Sequence, residues 1–86
     1  MLPIGHKSGI ISAQFSQDGK RVVTASGDNT AKIWDTYSGK MLADLTGHTK
    51  DVIYAKFSLD GTKIVTTSYD STAKIWDAYS GKILAT

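Results

Sequence analysis

Residues 5–44 and 47–86 can be laid over one another without a gap, and 24 of the 40 positions are identical. The shift is 42 residues and places Gly5-His6 on Gly47-His48, Phe15-Ser16 on Phe57-Ser58, and Asp18-Gly19 on Asp60-Gly61. It also places Asp28 on Asp70, Thr30-Ala31-Lys32-Ile33-Trp34-Asp35 on Thr72-Ala73-Lys74-Ile75-Trp76-Asp77, and Tyr37-Ser38-Gly39-Lys40 on Tyr79-Ser80-Gly81-Lys82. A period of roughly 20 to 50 residues marks an array whose neighbouring units bury each other's faces. The chain therefore divides into a short lead, residues 1–4, and two units, residues 5–46 and 47–86.

Within a unit the local signals are strand and turn. The runs 10–15, 20–26, 30–34 and 40–45 are short and rich in β-branched or mixed apolar residues. Asp18-Gly19, Gly27-Asp28-Asn29 and Ser38-Gly39 separate them, and these residue types tolerate positive φ and close hairpins. No connection is long enough for a crossover helix, which excludes a parallel α/β sheet. Each unit is expected to be a four-stranded antiparallel meander, so the fold class is all-β.

Composition narrows the function. The chain has no Cys, hence no disulfide framework and no thiolate metal site. Ten basic and eight acidic residues are dispersed along it, so the net charge of +2 carries no run that would track nucleic acid. No apolar stretch approaches the roughly 18 to 20 residues of a membrane span, and Met1-Leu2-Pro3-Ile4 lacks a signal-peptide core. The expectation is a soluble, cytoplasmic chain with no nucleic-acid or membrane partner. No glycine-rich phosphate loop or metal-ligand spacing is present, so no cofactor is expected.

The Gly-His pair, the strand ending Phe-Ser-x-Asp-Gly, the strand ending Ser-x-Asp-x-Thr, and the Lys-Ile-Trp-Asp that ends the third strand resemble the WD-repeat β-propeller family. The resemblance covers residues 5–86 and occurs twice in the same order. It implies that each unit is a propeller blade, with its first strand innermost and its fourth at the rim. Propellers have 4 to 8 blades, and two units fall short of a ring.

Each unit also holds a His, an Asp and hydroxyls: His6, Thr24, Ser26 and Asp28 in the first, His48, Thr66, Ser68 and Asp70 in the second. On paper these could form a nucleophilic triad. A hairpin turning about Asp28-Asn29 would instead set Thr24 roughly opposite Trp34, so hydroxyl, indole, imidazole and carboxylate could meet in one buried chain. That chain is similar to the family's structural Asp-His-Ser/Thr-Trp network, with Trp34 and Trp76 as its indoles. A catalytic group is rarely needed in every unit of an array, whereas a fastener is, so no enzyme is expected. Asp35 and Asp77 are expected to cap the following turn, and Tyr37 and Tyr79 either pack on a neighbouring blade or face solvent.

The resemblance further implies binding at one mouth of the channel, at positions shortly after Gly-His and just before the turn Asp. In this sequence these are Gly9, Ile11 and Gly27, then Asp51, Ile53 and Tyr69. Such an apolar mouth suits a peptide or protein segment, although the favoured reading of Ile11 and Ile53 is that they merely fill the channel wall. The apolar outer faces of two blades in turn call for further copies of the chain. A full turn divided among the blades gives about 51° in seven, about 45° in eight and about 60° in six. A homotetramer with eight blades is therefore expected ahead of a homotrimer with six. The functional expectation is a non-catalytic interaction scaffold made by self-assembly, or alternatively an engineered or excised fragment whose only property is assembly.

Overall fold

Short β-branched runs broken by Gly, Asn and Asp give eight strands in the computed structural model, which describes residues 5–86; the four-residue lead lies outside them. The strands are β1 (Ile10–Phe15), β2 (Arg21–Ser26), β3 (Thr30–Asp35), β4 (Met41–Thr46), β5 (Val52–Phe57), β6 (Lys63–Ser68), β7 (Ala73–Asp77) and β8 (Ile83–Ala85). They form two antiparallel meanders, β1-β2-β3-β4 and β5-β6-β7-β8. The architecture is thus all-β, two four-stranded sheets with the character of propeller blades. The described residues contain no helix, hence none long and apolar enough to cross a membrane.

The turns are built from side chains as much as from backbone. In the β1–β2 turn the Ser16 hydroxyl donates to Asp18 Oδ1 at 2.7 Å, and the Lys20 N–H donates to the same oxygen at 2.9 Å. In the β3–β4 turn the amides of Tyr37 and Ser38 both donate to Asp35 Oδ1 at 2.9 Å, and Asp77 repeats the arrangement with Tyr79 and Ser80. The β2–β3 turn places Asn29 at φ 73°, and its counterpart Ser71 sits at φ 71°. The left-handed region suits Asn better than Ser, and here the Asn29 side chain also donates to Thr49 O at 3.3 Å. Ser71→Asn is expected to raise stability, read as an upward shift of the urea midpoint.

The hairpin register corrects one sequence expectation. Trp34 lies opposite Val22, and Thr24 lies opposite Lys32. The turn is centred on Asp28, so Thr24 and Trp34 are diagonal neighbours on one face instead of a direct pair. Bulges interrupt the ladder where Ile11 and Ile53 are inserted in β1 and β5, the first strand of each sheet.

The core lies between the sheets, with β5 laid against β1, β2 and β3. Val23, Ala25, Ala31, Ile33, Ala43 and Leu45 of the first sheet meet Val52, Ala55, Phe57, Ile64, Trp76 and Ala78 of the second. Because the two sheets are copies, this joint uses one face of the first and the opposite face of the second. The unused faces are visible as a difference between equivalent residues. Val23 and Ile33 are fully buried, while Val65 and Ile75 are 36% and 40% exposed. Phe57 is 7% exposed and Phe15 68%. Each sheet therefore leaves open part of the face that its partner has covered, Ile10 and Phe15 on the first and Val65 and Ile75 on the second, while Val22 and Trp34 on the first stay buried.

Candidate functional site

The β2–β3 hairpin and the segment before β1 converge on a hydroxyl. Thr24, on β2, is buried. Its Oγ1 accepts the indole N–H of Trp34 at 2.9 Å and lies 2.5 Å from His6 Nε2. The other ring nitrogen, His6 Nδ1, is 3.0 Å from Asp28 Oδ2. In the second sheet Trp76 Nε1, Thr66 Oγ1, His48 and Asp70 repeat the chain, at 2.8, 2.7 and 2.8 Å. Every donor is matched when the imidazole carries its proton on Nδ1. The indole then donates to the hydroxyl, the hydroxyl to Nε2, and Nδ1–H to the carboxylate.

The Asp is fixed in turn by its own loop. Asp28 Oδ1 accepts from the Thr30 N–H at 3.0 Å and the Thr30 hydroxyl at 2.5 Å, and Oδ2 also accepts from the Lys7 N–H at 3.2 Å. Asp70 is held likewise by Thr72 and the Thr49 N–H. Burial pushes the Asp28 carboxyl up, but the bonds from Thr30 and His6 outweigh it and bring the pKa from 3.8 down to about 2. The Thr72 hydroxyl is the main cause of the lowering at Asp70, where burial opposes it and His48 reinforces it.

A carboxyl with a depressed folded-state pKa contributes stability that is complete above its unfolded value and lost as pH falls through the folded one. The melting temperature is accordingly expected to drop between pH of about 4 and about 2. Asp60, lowered to about 2 by Ser58 and Thr62, adds to the same window. A pH series on Asp28→Asn/Asp70→Asn should show a lower starting stability and a shallower acid drop than the parent.

The hydroxyl–imidazole–carboxylate connectivity is that of a nucleophilic triad, but access is lacking. Both Thr hydroxyls are buried and already accept an indole N–H, so no reacting carbonyl can reach them. What the arrangement does is tie the segment before the first strand of each sheet to the two central strands. Ser26 and Ser68 lie one step outside this chain. Their hydroxyls accept the Asp28 and Asp70 amides at 3.1 and 3.0 Å and donate to Ser8 O and Lys50 O.

Four of the six positions expected at the mouth are joined in pairs by backbone bonds, while Ile11 and Ile53 sit at the bulges. The Gly27 N–H donates to Gly9 O at 3.2 Å, and the Tyr69 N–H to Asp51 O at 3.1 Å. A Cβ on Gly27 would stand 3.5 Å from Asp51 Oδ2, so the two repeats meet at this edge. Ile11 and Tyr69 are exposed, while Ile53 is half-buried at its bulge.

Thr30 and Thr72 belong to the network and were missed as members, although Asp-x-Thr recurs in both repeats with its middle residue at positive φ. Arg21, at the joint between the sheets, was missed as well. Its counterpart is Lys63, so the repeat gave no identity to draw the eye.

Comparison with known proteins places these features. The family model for the WD domain, G-beta repeat, matches residues 2–35 and 39–77. Among curated proteins the chain is 57% identical over 35 residues to the vegetative incompatibility protein HET-E-1 of Podospora anserina, covering 41% of this chain and 3% of that protein. It is 58% identical over 36 residues to the ribosome assembly protein 4 of Chaetomium thermophilum, covering 41% and 7%. A serine-threonine kinase receptor-associated protein of Bos taurus is 40% identical over 42 residues, covering 49% and 12%. The chain thus spans no more than about an eighth of the length of these relatives. Repeats of this kind generally serve as protein-interaction scaffolds and are typically non-catalytic. With the family model matched in both repeats, over most of its residues, this chain belongs to the WD40-repeat family.

Proposed function

We propose that the chain is a non-catalytic interaction scaffold that completes itself by head-to-tail association. Two blade units, residues 5–46 and 47–86, would build a closed propeller from several copies, four chains with eight blades ahead of three with six. The observation that carries this reading is the burial difference between equivalent residues. The face of Val65 and Ile75 and the face of Phe15 and Ile10 are the two halves of a joint that the chain already makes once, between Val23, Ile33 and Phe57, Val52. Leaving a large apolar side chain in water forgoes roughly 1.5–3 kcal/mol each, and a patch of several marks an interface. Rotation by a constant step closes a ring when the angle divides evenly.

In the assembled ring, Gly9, Ile11, Gly27, Asp51, Ile53 and Tyr69 would come from every chain to one mouth. The apolar side chains of Ile11, Ile53 and Tyr69 suit an extended peptide or protein segment. Sedimentation over a hundredfold range of concentration tests the assembly, since the mean mass should climb above one chain as concentration rises. A library of extended peptides tests the binding half: Tyr69→Ala should weaken retention at least tenfold without altering the assembled mass. Equal retention by parent and variant would leave assembly as the chain's only property.

A further inference from the structure

Arg21 is the cation that crosses the joint between the two sheets. Its guanidinium donates to Gly61 O at 2.6 Å and Ala78 O at 3.4 Å. It also lies over the rings of Phe57, at 4.9 Å, and Tyr79, at 4.6 Å. A cation over two aromatic faces that also satisfies backbone carbonyls is a directional contact, unlike the apolar surface around it. The seat depends on Gly61, where a Cβ would stand 2.8 Å from Arg21 Nη2.

Every part of this seat has a counterpart on the open face of the first sheet. Phe15 stands for Phe57, Tyr37 for Tyr79, Gly19 for Gly61 and Thr36 for Ala78. There the seat is vacant: Phe15 and Tyr37 are exposed, and a Cβ on Gly19 would meet nothing within 4 Å. The counterpart of Arg21 is Lys63, exposed at the start of β6 on the open face of the second sheet. One chain therefore carries an empty aromatic seat at one end and an unseated cation at the other.

We propose that Lys63 of one copy occupies the Phe15–Tyr37–Gly19 seat of a second copy, an inference that rests on the head-to-tail reading above and assigns the contact that fixes its register. The two joints differ in chemistry. At the inner one Ala78 leaves Gly61 O to the two-pronged guanidinium. At the outer one the Thr36 hydroxyl already donates to Gly19 O at 2.8 Å. The compact ammonium then donates to the remaining lone pairs of Gly19 O and Thr36 Oγ1 while resting on the two rings. The second copy is the occupant because the chain shows, at its inner joint, the same two faces covering each other.

Two variants break opposite halves of this contact: Lys63→Glu, and Phe15→Ala/Tyr37→Ala. All three side chains are exposed, so each variant should keep the parent's circular dichroism spectrum. Each alone should associate at least tenfold more weakly than the parent. Mixed in equal amounts, they should form a complex of two chains and no larger, because the mixture retains one intact cation and one intact seat. Lys63→Arg should associate as well as the parent or better. A parent that stays at the mass of one chain overturns both the assembly and the joint. A parent that assembles while Lys63→Glu assembles equally well overturns the joint alone. So does a mixture that fails to yield the two-chain complex.

Discussion

Thr66→Val is expected to destabilise the protein by about 2–4 kcal/mol, at nearly unchanged side-chain volume. Thr66 Oγ1 is the hub of the second network: it accepts from Trp76 Nε1 at 2.8 Å and bonds His48 Nε2 at 2.7 Å, and the residue is fully buried. Removing the hydroxyl leaves a buried indole donor and a buried imidazole acceptor unpaired, and each costs on the order of 1–3 kcal/mol. Val fits the strand as well as Thr does, so neither propensity nor packing offsets the loss. Urea unfolding at fixed protein concentration measures it. A change under 1 kcal/mol would mean that the chain of bonds is incidental to stability.

Trp76→Ala is expected to cost about 3–5 kcal/mol, the range for deleting a large aromatic from a packed core. Trp76 is 1% exposed and belongs to the cluster between the sheets, where a Cβ on Gly47 would come within 3.2 Å of its ring. The substitution therefore removes packing and the donor to Thr66 together. Trp34→Ala makes the paired measurement. Trp34 has the same bond to Thr24 but lies outside that cluster, so its loss should cost less. Both variants must be compared at one concentration, since any association adds to apparent stability by mass action.

Much of the fold was legible because the sequence states it twice. A strand or turn proposed at Phe15-Ser16 or Asp18-Gly19 had to hold at Phe57-Ser58 and Asp60-Gly61, which removed most accidental patterns. Register was harder. Asp28 and Asn29 both favour turns, and what decides between them is the pair of bonds from Thr30 to Asp28 Oδ1, a tertiary detail of the loop. The network's members could be named, yet Ser26 was grouped with Thr24, because alternation along a strand does not separate two hydroxyls on one face. Arg21 was not legible at all. Its role depends on how one sheet sits on the other, and neither period nor propensity encodes that contact.

The same limit explains why the open faces matter more than any single motif. The repeat told that two units should pack, and only the packed pair reveals which face of each remains uncovered. Native mass spectrometry of the intact chain across a concentration series tests this most directly. A closed species of four chains, eight blades in all, that does not grow further as concentration rises is the expected result. A single-chain mass throughout, or a ladder of ever longer oligomers with no preferred size, would contradict it.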